Sequence, residues 1–203
     1  MFSFKSNKQS VSKNILILNG NPKQTSFCKL ITEHTYLQLN DFSIHNVKTL
    51  HLYDMSFNPD LTVGFQSKLE LEPDLIAFQQ LLTWSDHIII ITPIWWGTIP
   101  AKFKGLIDRT FLPGFAFKYN QGKTVVEKLL TGKTASLLLT LDTPSWYFKL
   151  FQKAPGISQL KITILAFCGI KTKQIKLFSA VMKSDNSQRN KWLKQVNVML
   201  DKL

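Results

Sequence analysis

The sequence predicts an α/β protein in which a parallel sheet of five strands lies between two layers of helices. Three observations carry that reading. Five apolar strand segments alternate with helical ones, the middle strand has no polar face, and polar or aromatic loops follow the first, third and fourth strands.

The first strand, residues 15–19, runs into the polar turn Asn19-Gly20-Asn21-Pro22-Lys23-Gln24-Thr25-Ser26-Phe27 and a helix over 27–39. Backbone amides at that helix start, with the Thr25 and Ser26 hydroxyls and the Lys23 charge, form an anion site; a plain helix cap is the competing reading. The second strand spans 47–52 and is followed by a long connection, 55–72, and a helix over 73–84. The third strand, 87–92, contains the uninterrupted run Ile88-Ile89-Ile90-Ile91, as expected of a central parallel strand covered on both faces. Pro93 ends it.

Beyond Pro100, Phe103, Leu106, Ile107 and Phe111 fall at helical spacing over 101–111, and Pro113-Gly114 stops the helix. The intervening loop, 94–99, holds Ile94, Trp95, Trp96 and Gly97 at the carboxyl end of a strand, where open α/β sheets bind ligands. Two adjacent tryptophans in so short a loop are hard to bury together, so at least one is expected to face a cavity, a ligand or a partner chain. The fourth strand, 134–140, leads into a second long connection, 141–155, that begins Thr140-Leu141-Asp142-Thr143-Pro144-Ser145-Trp146-Tyr147. A helix over 157–167, a fifth strand over 175–178 and an amphipathic helix over 187–200 complete the chain.

Composition narrows the function classes. The 203 residues suffice for one domain, read as 14–203 behind a flexible leader, 1–13, and no apolar run is long enough to cross a bilayer. Cys28 and Cys168 lack disulfide or zinc spacing, which favours the cytoplasm, and Cys28 reads as a small packed residue at a helix start. The four histidines, His34, His45, His51 and His87, show no ligand-like pair and are expected away from the three loops, so no metal site is predicted. The net charge of +12 comes from scattered lysines without a dense block or a DNA-binding motif, so it suits an anionic cosubstrate as well as a polyanion. Nucleic acid is not an expected partner.

Together the three loops offer what a flavin requires: phosphate donors, a flat apolar slot for the ring, and donors toward its N1 and O2 edge. Tyr147 is the candidate for that last role. The strand rhythm suggests the flavodoxin-like order 2-1-3-4-5, and the absence of Gly-x-Gly-x-x-Gly after the first strand argues against a dinucleotide-binding Rossmann domain.

From residue 14 onward the chain resembles the diaphorase-like NAD(P)H:quinone oxidoreductases, especially their short bacterial members. The resemblance rests on Pro93-Ile94-Trp95-Trp96-Gly97 with Pro100, Lys104-Gly105, Asp108-Arg109, Gly114-Phe115-Ala116-Phe117, Thr25-Ser26-Phe27 and Asp142-Thr143-Pro144-Ser145-Trp146-Tyr147. It implies a flavodoxin-like three-layer sandwich, a bound FAD or FMN with FAD favoured, NADPH or NADH as cosubstrate, a homodimer, and ping-pong hydride transfer to a quinone. It also implies roles. Asn21, Thr25, Ser26 and Phe27 would lie on the phosphate side, Pro93, Ile94, Trp95, Trp96 and Gly97 would cradle the ring, and Thr140, Leu141, Asp142, Thr143 and Tyr147 would close its other edge. Phe117 and Tyr119 match aromatic positions that shape the pocket of the second subunit. Animal members carry a histidine shortly after the tyrosine; here residues 148–153 have none, and Lys153 stands in that stretch. The same family includes regulatory subunits of potassium efflux systems and flavin, azo and nitro reductases, which are the alternative functions.

Overall fold

The computed structural model describes residues 12–41, 44–62, 64, 70–120, 122 and 125–203. Five strands form one parallel sheet: β1 (Asn14–Asn19), β2 (Asn46–His51), β3 (His87–Pro93), β6 (Thr134–Leu141) and β7 (Lys171–Ser179), in the spatial order β2-β1-β3-β6-β7. Relabelled by sheet strand alone this is 2-1-3-4-5, the expected order. Numbers four and five go to a two-residue antiparallel pair, β4 (Phe117–Lys118) and β5 (Glu127–Lys128), too short to leave a periodic signal.

The isoleucine run explains why the sheet is covered twice. Successive strand side chains point to opposite faces, so Ile88 and Ile90 enter one core and Ile89 and Ile91 the other. On the first face Leu16, Ile88, Ile90 and Leu137 pack against α2 (Pro73–Trp84) and α3 (Ala101–Thr110) through Leu75, Phe78, Phe103 and Leu106. On the second, Ile15, Ile17, Ile89 and Phe178 pack against α1 (Phe27–Asp41) and α6 (Asn186–Leu200) through Cys28, Ile31, Trp192 and Val196. Asp185 caps α6, its Oδ1 accepting from the Gln188 amide at 2.7 Å.

Arg109 anchors the long connection before α2. Although only 1% exposed, its guanidinium donates to Glu72 at 2.7 and 3.2 Å and to the carbonyls of Asn58 and Glu70 at 2.5 and 3.1 Å. A buried charge is tolerable only with such partners.

Three expectations change. The helix expected over 157–167 is a short α5 (Pro155–Ser158) followed by eight residues of π-helix, Gln159–Ala166. The connection 141–155 contains its own short helix, α4 (Ser145–Leu150). The last sheet strand begins four residues before the expected 175, because its lysine-rich, half-buried edge lacks a continuous apolar run. Of the leader, residues 1–11 lie outside the described residues. Lys13 belongs to the fold, its amide bonding His45 Nδ1 at 3.3 Å and its ammonium bonding the Leu203 carbonyl.

Candidate functional site

The three loops meet at the carboxyl edge of β1, β3 and β6, and each is held by its own local chemistry. After β1, Asn19 Oδ1 accepts from the Asn21 amide at 3.1 Å and Asn21 Oδ1 from the Lys23 amide at 2.9 Å, two successive Asx turns that bend the chain toward α1. Ser26 Oγ then accepts from the Lys29 amide at 3.2 Å, so Ser26 does cap the helix. The cap leaves other donors bare. Among the described residues the amides of Thr25, Ser26, Phe27 and Cys28 make no hydrogen bond within the chain, the kind of donor array that helix starts offer to anions.

Phe27 belongs to that array by its backbone alone, since its ring packs between Phe178 and Trp192. Arg189 of α6 places its guanidinium 5.6 Å from the Phe27 ring centre and bonds Ser184 Oγ through Nε at 3.0 Å. Nothing near Arg189 in sequence advertises this role; the fold brings it from the far end of the chain. Cys28 is buried, its thiol 3.3 Å from Thr140 Oγ1, and burial pushes its pKa up. It is a packed residue, as the sequence suggests. His51, expected away from the loops, instead reaches Asn19 Nδ2 at 3.2 Å because β2 ends beside β1.

After β3, the Ile94 amide donates to the Thr140 carbonyl at 2.7 Å, which ties the second loop to the third. Trp95 and Thr98 then exchange backbone bonds of 2.8 and 3.0 Å around Trp96 (φ +51°) and Gly97 (φ +81°), the positive-φ pattern of a type I′ turn. Glycine adopts that conformation freely; a tryptophan there is strained. Trp95 is half-exposed and Trp96 is 103% exposed, so neither is a core residue. The amides of Trp96 and Gly97 are also unbonded among the described residues.

After β6, Thr140 and Leu141 are buried, while the Asp142 carboxylate accepts from the Met182 amide at 2.7 Å and so fixes the loop that follows β7. Ile94, Trp96, Gly97, Leu141, Thr143, Phe148, Gln152 and Pro155 line a cavity of about 480 Å³ between the second and third loops, within the size range of cofactor sites. Phe148, Gln152 and Pro155 were not singled out in the sequence. They lie in the second half of the same connection, 141–155, beyond the stretch that ends at Tyr147.

Two predicted residues take other positions. Tyr147 is exposed beside the cavity, its ring stacked on Phe151 at 5.1 Å and edge-on to Trp146. Phe117, expected to reach a second subunit, is only 5% exposed and packs on Phe167 and Tyr119, so its side chain belongs to its own core. Tyr119 remains well exposed. A larger groove of about 760 Å³ runs between α1, β2 and Leu81 on the sheet's outer edge, but it shares no lining residue with the three loops.

The sequence pattern of the flavodoxin-like fold matches residues 13–199. The chain belongs to the flavodoxin-like fold family. A relative from Haemophilus influenzae, an uncharacterized NAD(P)H oxidoreductase, is 27% identical over 181 residues, 87% of this chain and 88% of that one. The FMN-dependent NADH:quinone oxidoreductase of Gluconacetobacter diazotrophicus is 27% identical over 124 residues, 60% of this chain and 59% of the other. Among solved structures, Smu.1420 from Streptococcus mutans aligns with a TM-score of 0.79 at 31% identity, covering 94% of this chain and 100% of that one.

Proposed function

We propose that this protein is a flavin-dependent NAD(P)H:quinone oxidoreductase. The observation that carries the reading is two sets of bare amides at the same sheet edge: those of residues 25–28 at the start of α1, which Cys28 ties to the third loop through Thr140, and those of residues 96–97 at the Ile94–Leu141 cavity. The first set suits a phosphate and the second the polar edge of a ring whose face lies on apolar side chains. The names of the relatives from Haemophilus and Gluconacetobacter support the same chemistry.

A flavin bound here would accept a hydride at N5 from NAD(P)H and pass two electrons on to a quinone that enters after the nicotinamide leaves. The chain's own work is binding and orientation. Thr25, Ser26, Phe27 and Cys28 offer their amides to phosphate, with the Ser26 cap and the Asn19 and Asn21 turns fixing their direction. Pro93, Ile94, Trp95, Trp96 and Gly97 hold the ring from one side, and Leu141 and Thr143 hold it from the other. Tyr147 is assigned to the edge where negative charge develops, as a hydrogen-bond donor. Burial of Ile94, Leu141 and Phe148 keeps water from the ring face and strengthens those polar contacts.

Between the two flavins we assign FAD, a reading supported by the Arg189 guanidinium, which lies 5.6 Å from the ring centre of Phe27 at the start of α1 and adds a cation to that end of the fold. We assign the reaction to the cytoplasm, a reading that the two free, buried cysteines support. The exposed cluster of Trp146, Tyr147 and Phe151, with Trp95, Trp96 and Tyr119 also exposed, supports a homodimer, since monomers rarely leave large aromatic patches to water. Tyr119 is the residue assigned to the neighbouring subunit's pocket.

The test is direct. Purified protein is expected to show a flavin absorption spectrum, to release FAD on denaturation by mass analysis, and to oxidise NADH or NADPH when a benzoquinone is added. Absence of flavin binding together with absence of NAD(P)H consumption overturns the reading. Light scattering is expected to return the mass of a dimer; a monomer at micromolar concentration removes the shared-pocket role of Tyr119.

A further inference from the structure

The turn at Trp95–Thr98 holds a conformation that its own sequence disfavours. Trp96 sits in the left-handed region with its side chain in solvent, so its own packing does not offset that cost. The restraint comes from a different element. The Gly97 carbonyl accepts from the Gly156 amide at 2.8 Å, and Thr98 Oγ1 donates to Gln159 Oε1. Gly156 leaves no room for a side chain: a Cβ there would meet the Gly97 oxygen at 2.8 Å, Ile94 Cδ1 at 3.0 Å and Thr98 Cα at 3.1 Å. The turn is therefore seated on α5 at backbone contact.

Gln159 is also the first residue of the π-helical segment Gln159–Ala166. Such segments are rare and collect at functional sites, because the wider helix re-aims the side chains that follow. Here the widening starts at the residue that reaches Thr98, while Leu160, Ile164 and Leu165 of the same segment are anchored in the core. The anchor and the contact thus belong to one rigid element.

We propose that Gln159 is a positioning residue: through Thr98, and together with Gly156, it holds the Trp96–Gly97 backbone in the conformation that presents its amides to the flavin ring. The proposal rests on the flavin reading above for its consequence, but the restraint itself is a property of the protein alone.

The experiment therefore has two readouts on the full chain. In the flavin-free protein, amide hydrogen exchange at Thr98, whose N–H bonds the Trp95 carbonyl at 3.0 Å, is expected to quicken about tenfold in Gln159→Leu and in Thr98→Val, corresponding to roughly 1.4 kcal/mol for one lost hydrogen bond. Exchange in the sheet core and the far-UV spectrum stay unchanged, which separates this effect from misfolding. In FAD titrations read by flavin fluorescence, each variant is expected to bind about tenfold more weakly. The double variant binds no more weakly than either single one, since both remove the same contact. Gln159→Glu, which keeps the acceptor for the Thr98 hydroxyl, is expected to restore both readouts to within about twofold. Unchanged Thr98 exchange in Gln159→Leu overturns the proposal whatever the flavin does, as does a double variant whose losses multiply. If the wild-type chain binds no FAD or FMN while Thr98 exchange responds as stated, the flavin reading fails and the restraint stands.

Discussion

Gly20 lies where β1 turns into the phosphate-side loop, and replacing it with alanine tests whether that loop's position matters. Its amide donates to the Ile91 carbonyl at 2.8 Å, so the backbone cannot simply drift away from β3. A Cβ built there would stand 2.7, 2.8 and 3.0 Å from Cδ1, Cε1 and Cγ of Phe103, which is fully buried in the first core. Ordinary contact begins near 3.4 Å, so about 0.7 Å must come from the ring or from the loop. Overpacking of this kind costs about 1–3 kcal/mol. At roughly 2–4 °C per kcal/mol for a chain of this size, the melting temperature of Gly20→Ala is expected to fall by about 6 °C. The ring is enclosed, so part of the shift goes into residues 20–26, and FAD affinity is expected to drop about tenfold, equivalent to roughly 1.4 kcal/mol. Differential scanning calorimetry and a fluorescence titration measure the two effects. Adding Phe103→Leu, which removes the clashing edge, should recover most of the affinity at a further cost in melting temperature. A Gly20→Ala protein that melts and binds FAD as wild type does would refute the argument.

Arg109→Met keeps the aliphatic stem but leaves Glu72, whose side chain is 31% exposed, and the Asn58 and Glu70 carbonyls without their donor, and is expected to destabilise the protein by about 1–3 kcal/mol; a chemical-denaturation midpoint near that of wild type would contradict it. His87, fully buried and bonded to Thr134 Oγ1 at 2.7 Å and Ser136 Oγ at 3.0 Å, has its pKa lowered to about 4 by burial and by the Lys13, His45 and Lys173 charges. Its unfolded value is near 6.5, so as pH falls through that window the unfolded chain binds the proton first and stability drops. The loss grows to roughly 3 kcal/mol by about pH 4 and then levels off; denaturation series at successive pH values should show this slope in wild type and a flatter one in His87→Gln. Cys28, buried with a raised pKa, is expected to resist a thiol-specific disulfide reagent in the native state and to react on unfolding. Rapid native labelling at Cys28, located by mass spectrometry, would contradict its place in the core.

What the sequence could show depended on whether a segment's chemistry was local. The sheet was legible because Ile88–Ile91 can serve no other purpose than two-sided burial, and the loops because Asn21 and Ser26 carry their turn and cap chemistry within a few residues and Trp95-Trp96 put two bulky rings into a loop too short to bury both. The π-helix was not legible. Residues 159–166 are apolar on most sides, so their spacing cannot distinguish a turn closed at the fourth residue from one closed at the fifth. Phe117 and Tyr119 looked alike as exposed aromatics, and only the packing of Phe167 against Phe117 separates them. Arg189 was invisible for a third reason, since its partner Phe27 lies at the opposite end of the chain and no periodicity connects them.

The two-sided sheet has a consequence for how the protein would respond to its ligand. The phosphate-side amides open α1, which packs with α6 on one face, whereas the turn at Trp96 precedes α3 and rests on α5, on the other. Among the described residues the two hydrophobic clusters lie on opposite faces of the strands between them. A flavin held at both ends would clip the layers together across the sheet's rim, making the protein's opposite sides open and close as one cooperative unit.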